Sequence, residues 1–147
     1  MYMISACLLG ENCKYNGGNN KSQWVVDFAK KHHYVVICPE TQAGLPAPRP
    51  PAEIIGEKVL DSQGQDLTKA FARGAELSYH RALQAAKEAG EPIEGAILKA
   101  KSPSCGRDQI YDGTFSNQLK EGDGYLVRLL KKDQITVITE KEKIEND

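Results

Sequence analysis

The sequence has no long hydrophobic run and no excess of charge of either sign. Its apolar runs, such as 34–38 (YVVIC), are far shorter than the roughly 18 residues of a membrane-spanning helix, so we expect no membrane segment. Lys and Arg together number 19, against 20 for Asp and Glu, which gives a formal net charge of −1. A chain so balanced has no bulk field to hold a phosphate backbone, which argues against nucleic acid as the main ligand.

The sequence also lacks a secretion signal and closely spaced cysteine pairs. Its first residues contain no basic leader followed by a long apolar stretch, so the four cysteines indicate a reducing compartment. We therefore expect a cytoplasmic protein with free thiols. Neither a zinc-finger spacing nor a thioredoxin-like spacing occurs. Any metal centre must be assembled by the fold from the distant segments that contain Cys7, Cys13, Cys38 and Cys105.

The composition is that of one folded domain. The chain has 147 residues, of which 40% are hydrophobic and 27% are charged, so it is too apolar for a disordered segment. Since domains usually contain about 100–200 residues, we expect residues 1–147 to form a single domain.

Strands and helices are predicted to alternate along the chain. Short apolar and β-branched runs predict four main strands, at Tyr2–Cys7, Tyr34–Cys38, Ile93–Lys99 and Ile135–Thr139. Apolar residues at helical spacing, with capping and stop residues, predict three helices: from Ser22 to about His32, from Asp66 to Gly90, and from near Asp123. This order predicts an α/β fold: an open, mostly parallel sheet with helices on both faces, Rossmann- or flavodoxin-like.

The remaining segments are predicted to lie at the periphery. The stretch 44–51 contains four prolines and is expected to run extended over the surface. A small hairpin or irregular extension is predicted over 52–60, a long loop over 100–115, and a charged tail over 140–147.

Three of the cysteines are predicted to meet at one edge of the sheet. Cys7 closes the first predicted strand, Cys38 closes the second, and Cys105 lies in the loop after the third. Ligands of open α/β sheets gather beyond the carboxyl ends of the strands. The alternative is that these cysteines are small core residues, which fits Cys105 poorly because it lies between Ser104 and Gly106 in a polar loop.

Converging thiols are compatible with several chemistries. Four thiolates can form a closed structural zinc site, and three can hold an iron–sulfur cluster that leaves one iron open to a substrate. A nucleophilic cysteine needs a base, but all three histidines fall on predicted helices or helix ends. The spacing alone does not distinguish zinc from a cluster.

Other polar residues fall near the same edge. Glu40 follows Cys38 by two positions and is a candidate proton carrier, although an exposed loop carboxylate is the commoner role of a glutamate. Ser102 and Ser104 precede Cys105, and Arg49 is either a contact for an anion or carboxylate or a solubilising charge.

Six ordered segments together resemble the thiouracil desulfurase (desulfidase) family, formerly a domain of unknown function. They span most of the chain and are 5–10 (SACLLG), 13–18 (CKYNGG), 38–40 (CPE), 44–50 (GLPAPRP), 98–106 (LKAKSPSCG) and 110–115 (IYDGTF). The resemblance implies a [4Fe–4S] cluster bound by three cysteines, with the fourth iron free.

By position, the resemblance implies these site residues: Cys7, Cys38 and Cys105 as cluster ligands, Glu40 as the catalytic carboxylate, and Ser102, or failing that Ser104, as the serine on the substrate side. Cys13 is left out of the ligand set because longer relatives can have another residue there. The family's usual Arg-Tyr-Asp-Gly stretch is Lys-Tyr-Asn-Gly at 14–17 in this chain.

The resemblance also implies an activity. We expect a single catalytic domain over 1–147, a hydrolase- or lyase-like desulfurase that converts a thiolated pyrimidine such as thiouracil to uracil and hydrosulfide without redox change. Two alternatives remain at this point. One is a non-catalytic zinc- or cluster-binding module, such as a sulfur carrier or sensor, and the other is a protein associated with thiolated nucleosides of tRNA.

Overall fold

The computed structural model describes residues 1–142 and contains a four-stranded parallel sheet with two small antiparallel hairpins. In chain order the elements are β1 (Tyr2–Ser5), one turn of 3₁₀ helix (Ala6–Leu9), α1 (Gln23–Ala29), β2 (Tyr34–Ile37), α2 (Pro39–Gln42), β3 (Ala52–Ile55), β4 (Lys58–Asp61), α3 (Thr68–Ala89), β5 (Gly95–Leu98), β6 (Gln109–Tyr111), β7 (Leu119–Glu121), α4 (Tyr125–Lys132) and β8 (Val137–Thr139).

The central sheet has the strand order β2-β1-β5-β8, and all three strand pairs are parallel. The prediction of an α/β fold with a mostly parallel sheet is confirmed. The chain moves outward from β1 to β2 on one side and from β5 to β8 on the other, so the strand order reverses between β1 and β5. A crevice at such a reversal is where open α/β sheets bind their ligands.

Helices cover both faces of this sheet, as predicted. Because side chains alternate along a strand, Met3 and Leu98 point to one face and Ile4 and Ile97 to the other. Met3 and Leu98 share a buried cluster with alanines of α3 and leucines of α4, whereas Ile4 and Ile97 pack with Phe28 of α1. All four strand residues are fully buried.

The long helix α3 packs closely against the short helix α2. A Cβ at Gly74 would lie 2.0 Å from the carbonyl oxygen of Pro39, so glycine is required for this approach. The predicted helix between Asp66 and Gly90 is confirmed, although its first helical residue is Thr68, whose N–H donates to Asp66 Oδ1. Gly90, with φ +67°, ends it in the left-handed conformation.

The two hairpins lie outside the central sheet. The hairpin predicted over 52–60 is present as β3 and β4. The prediction of a loop over 100–115 is wrong in its second half, because β6 pairs with β7. Both strands have three residues and few apolar side chains, so they carry no alternating pattern. Glu53 Oε1 accepts the N–H groups of Gly113 and Phe115 and so joins the two hairpins.

The predicted ends of the first two strands are also wrong. Strand β1 ends at Ser5 and β2 at Ile37, so neither Cys7 nor Cys38 belongs to a strand. Cys7 lies in the 3₁₀ turn that follows β1. Cys38 precedes α2, which begins at Pro39 because proline fits the first position of a helix. Both cysteines still lie just beyond the carboxyl ends of their strands.

The last described residues fold back onto the sheet. Glu140, the first residue of the predicted charged tail, pairs through Oε2 with Lys99 Nζ at 3.1 Å. Residues 143–147 of that tail lie outside the described residues. Over the described part of the chain, no helix combines the length and the apolar character needed to cross a membrane.

Candidate functional site

Four cysteines gather beyond the carboxyl ends of β1, β2 and β5. Three of them, Cys7, Cys38 and Cys105, are those that the sequence predicts to converge, and each follows a different strand. Cys13, which the prediction left out, belongs to the loop after the 3₁₀ turn. All four are free thiols.

The thiol of Cys13 lies between two others. It is hydrogen-bonded to the thiols of both Cys7 and Cys38. The charge of the Cys38 thiolate raises the pKa of Cys7, and the charges of both thiolates raise the pKa of Cys105. These effects show that the three thiols lie close together. The structure therefore brings Cys7, Cys38 and Cys105 into one site and adds a fourth sulfur to it.

This arrangement shifts the pKa values of the three hydrogen-bonded thiols. The hydrogen bond from Cys13 lowers the pKa of Cys38 to about 6, and hydrogen bonds to Thr41 assist. A hydrogen bond from the same thiol lowers the pKa of Cys7. A hydrogen bond from Asn20 and the positive charge of Lys99 lower this pKa further. The pKa of Cys13 is raised because its proton is held by Cys38 and Cys7. The thiolate, the form that binds metals, is thus favoured at Cys7 and Cys38.

Cys105 is the most enclosed member of the site. Its side chain is buried, and burial raises the pKa of its thiol, opposed by a hydrogen bond with Ser5. Its N–H donates to Ser102 Oγ at 2.8 Å. Ser5 Oγ also accepts the N–H of Lys99 at 3.0 Å, so the end of β1 is tied to the end of β5 beneath this thiol.

Two glycines allow the loop around Cys105 to form. A Cβ at Gly124 would lie 2.5 Å from the carbonyl carbon of Ser104, and one at Gly106 would lie 2.8 Å from the carbonyl oxygen of Ser102. Helix α4 therefore begins directly against this loop. The N–H groups at its start donate to the carbonyl oxygens of Pro103 and Ser104, which holds the loop in place.

Glu40 lies in the first turn of α2, next to the thiols, and both of its oxygens are bonded. Arg49 donates to Oε1 from Nε and from Nη2, each at 3.2 Å, and Ser104 Oγ donates to Oε2 at 3.3 Å. The Arg49 side chain is 7% exposed and that of Glu40 is 19% exposed. Of the two roles that the sequence left open for Arg49, the structure shows the carboxylate contact.

Arg49 also connects two surface segments. Its Nη2 donates to the carbonyl oxygen of Cys13 at 3.0 Å, and its Nη1 donates to that of Pro46 at 2.9 Å. Its backbone N–H donates to the carbonyl oxygen of Tyr15. The proline-rich stretch runs over the surface as predicted, but the Arg49 side chain turns inward and holds the Cys13 loop beside Glu40.

The two candidate serines occupy different positions. Ser104 is buried and bonds to Glu40. Ser102 is half-buried and accepts the N–H of Cys105. Both therefore lie at the site, with Ser102 the more accessible to a substrate.

Lys99 and Glu140 are site residues that the sequence analysis missed. Lys99 Nζ pairs with Glu140 Oε2, and Glu140 Oε1 accepts the N–H of Ala100 at 2.7 Å. The charge of Lys99 helps to lower the pKa of Cys7. A lysine at the end of a strand that leads into a cysteine loop was the available signal, whereas nothing in the sequence pairs it with Glu140, 41 positions later.

Comparison with known families decides what kind of protein has this site. The model of the 2-thiouracil desulfurase family matches residues 2–142. The chain belongs to this family. The resemblance noted from the six sequence segments is thereby confirmed.

Two known proteins are similar to this chain over nearly its whole length. The uncharacterized protein YbbK of Bacillus subtilis (strain 168) is 37% identical over 152 residues, which cover 97% of each chain. A solved structure of the [4Fe–4S]-dependent thiouracil desulfidase TudS (DUF523Vcz) is 40% identical, covers 95% of this chain and 90% of that one, and superposes with a TM-score of 0.81. The family relationship therefore extends over nearly the whole fold.

The donor set of this family member fits an iron–sulfur cluster. Thiolates are the usual ligands of such clusters, and here they come from three separate segments at one end of the sheet. Within residues 1–142, no group of three or more His, Cys, Asp or Glu side chains is arranged so that it could hold a single metal ion. A cluster does not require its ligands to converge on one metal ion, since each of its thiolates binds a separate iron atom.

Proposed function

We propose that this protein is a desulfurase that converts a thiolated pyrimidine base such as thiouracil to uracil and hydrosulfide. In this proposal residues 1–142 belong to a single catalytic domain that spans 1–147, and Cys7, Cys38 and Cys105 hold a [4Fe–4S] cluster. The observation that supports it most is the meeting of these three thiols beside Glu40 in a member of the 2-thiouracil desulfurase family.

Three thiolates suit this chemistry better than four. A cluster held by three cysteines supplies an iron with an open position, which acts as a Lewis acid for the soft sulfur of a thiocarbonyl group. The pyrimidine is a small neutral molecule, and the nearly balanced charge of the chain suits it.

Glu40 is assigned as the base. Replacing the sulfur of a C=S group by oxygen consumes one water molecule and releases hydrosulfide and one proton, with no change in oxidation state. The carboxylate of Glu40 takes that proton from the attacking water. Arg49 holds Oε1 with two hydrogen bonds, which leaves Oε2, next to Ser104, as the oxygen that faces the water.

The two serines are assigned different tasks. Ser104 donates to Oε2 and fixes the direction of the carboxylate. Ser102 Oγ accepts the N–H of Cys105, so the Ser102 hydroxyl is free to donate its own proton to another group. We assign it a hydrogen bond to a polar edge of the pyrimidine. Neither role requires Ser102 or Ser104 to be a nucleophile.

The test is an anaerobic assay on reconstituted protein. Protein with four iron and four sulfide per chain is incubated with thiouracil, and sulfide and uracil are measured together. We expect equal amounts of both products. The Glu40→Gln variant should keep its iron and lose at least 100-fold in rate, a typical contribution of general base catalysis, which is about 10²–10⁴-fold.

Other outcomes would favour the alternatives. Cluster-loaded protein that releases no sulfide from thiouracil would be a non-catalytic binding module. Colourless protein with one zinc per chain would exclude the cluster altogether. Tight binding of tRNA that weakens steeply with salt would favour a protein associated with thiolated nucleosides.

A further inference from the structure

Cys13 has no role in the proposed reaction, yet its thiol is in contact with two of the three proposed ligands. It is hydrogen-bonded to both Cys7 and Cys38. The residue is half-buried, and its thiol faces these two cysteines. Among the described residues, it is the thiol that remains after the three ligands are assigned.

The backbone keeps Cys13 at this position. Its N–H donates to the carbonyl oxygen of Glu11 at 2.9 Å, and its carbonyl oxygen accepts Arg49 Nη2 at 3.0 Å. The same loop is tied down at its other end, where Asn20 donates its N–H to the carbonyl oxygen of Cys7 at 3.0 Å. Through Arg49, the loop is fixed to the residue proposed as the base.

A cluster with three thiolates leaves one iron without a protein ligand, and Cys13 is the further free thiol beside Cys7 and Cys38. Building on the proposed function, we propose that Cys13 is a fourth, displaceable ligand. It binds the open iron when no substrate is present and leaves that iron when the substrate's sulfur arrives. The substrate class is thereby restricted to soft sulfur compounds that can compete with a thiolate.

The exchange balances without electron transfer. When Cys13 binds, its thiol gives up a proton to solvent and the iron releases a water molecule. When the thiocarbonyl sulfur arrives, the Fe–S bond to Cys13 breaks with its electron pair on sulfur, and the thiolate regains a proton. The iron keeps its oxidation state at each step.

The proposal has a consequence apart from catalysis. An iron with only water as its fourth ligand is the one that a [4Fe–4S] cluster loses on oxidation, which gives [3Fe–4S]. A bound Cys13 protects that iron. We therefore expect the wild-type cluster to resist mild oxidation and the Cys13→Ala cluster to lose iron.

The experiment compares the anaerobically reconstituted wild type with Cys13→Ala. Both should contain four iron per chain before treatment. After the same exposure to ferricyanide, the variant should show the EPR signal of [3Fe–4S] several-fold more strongly. Its KM for thiouracil should be several-fold lower with little change in kcat, because the substrate no longer displaces a thiolate.

Two further variants control for changes in the loop. Asn12→Ala alters the adjacent exposed residue and should behave as wild type. Cys13→Ser keeps the size of the side chain but offers a hard oxygen, so it should resemble Cys13→Ala.

Equal [3Fe–4S] signals from wild type and Cys13→Ala would overturn the proposal. Failure of Cys13→Ala to take up a cluster would also overturn it, because Cys13 would then be an obligatory ligand. Absence of sulfide release from both proteins, with the EPR difference intact, would refute the desulfurase activity and leave the ligand role of Cys13 standing.

Discussion

Arg49 donates two hydrogen bonds to the same oxygen of Glu40, at 3.2 Å each, from a side chain that is 7% exposed. A guanidinium can bind one carboxylate oxygen from two nitrogens and still reach the backbone carbonyls of Cys13 and Pro46. One buried side chain thus sets the position of the carboxylate and of the loop that carries a thiol of the site.

Replacing Arg49 should weaken both the fold and the proposed reaction. Hydrogen bonds to charged groups each contribute about 1.5–3 kcal/mol, so Arg49→Ala should lower the free energy of unfolding of the apoprotein by about that amount or more. Urea unfolding measures the change. Arg49→Lys should recover part of the stability but little desulfuration, since an ammonium lacks the fork that holds Oε1.

Adding free guanidinium to the assay distinguishes a role of Arg49 in positioning Glu40 from a role in stabilising the fold. Millimolar guanidinium should restore part of the kcat of Arg49→Ala and none of that of Glu40→Gln. If the two variants respond alike, Arg49 does not act through Glu40.

The cysteines should differ in their effect on iron content. Cys105→Ser should abolish cluster binding, because Cys105 is the sole proposed ligand from the loop after β5. Cys13→Ser should keep four iron per chain after anaerobic reconstitution, as measured by iron and acid-labile sulfide. The reverse result would exchange the roles of these two residues in the ligand set.

The apoprotein should be alkylated at Cys38, which is half-buried, faster than at Cys7 or Cys105, which are buried. Since the pKa of Cys38 is lowered to about 6, it is mostly thiolate at neutral pH, and its rate with iodoacetamide should rise through about pH 6 and level off above. Cys105 should stay unmodified, because it is buried and its pKa is raised. Mass spectrometry of peptides from samples quenched at several pH values gives both rates.

Cys13→Ala is the matched control for this experiment. The hydrogen bond from Cys13 is the largest cause of the low pKa of Cys38, so its removal should move the alkylation midpoint to higher pH. An unchanged midpoint would mean that Thr41, and not Cys13, stabilises the thiolate.

Gly74→Ala should separate α2 from α3. The added methyl group meets the carbonyl oxygen of Pro39 at 2.0 Å, and overpacking of this kind usually costs about 1–3 kcal/mol. The shift of α2 should also displace Glu40 and reduce desulfuration. Glu76→Ala, on the exposed side of the same helix, should leave both properties unchanged. Equal effects of the two substitutions would argue against this contact.

The sequence predicted the sheet well because its strands are buried runs separated by helices with clear ends. The three cysteines Cys7, Cys38 and Cys105 could be placed at one edge from strand order alone, since parallel strands end on the same side. The predictions that β1 and β2 extend to Cys7 and Cys38 were wrong, because local turn formation at Ala6 and Pro39 competes with pairing.

Other features depend on contacts between distant segments. The hairpin of β6 and β7 is stabilised in part by hydrogen bonds to Glu53, which lies more than fifty positions earlier in the chain. Its two strands have no alternation of apolar and polar residues from which they could be predicted. The place of Cys13 between two thiols depends on a loop whose path is fixed by Arg49. The sequence pattern shows which residues are neighbours within one helix or strand. Contacts between residues in distant loops can be identified only from the folded structure.

The position of β5 between β1 and β8 bears on the order of events during biosynthesis. The loop that carries Cys105 reaches the other thiols only after β5 has docked beside β1. A nascent polypeptide must therefore extend past residue 105 before Cys105 can join the thiols of Cys7, Cys13 and Cys38. In the proposed function, a cluster held by Cys7, Cys38 and Cys105 is therefore completed only once β5 has docked beside β1.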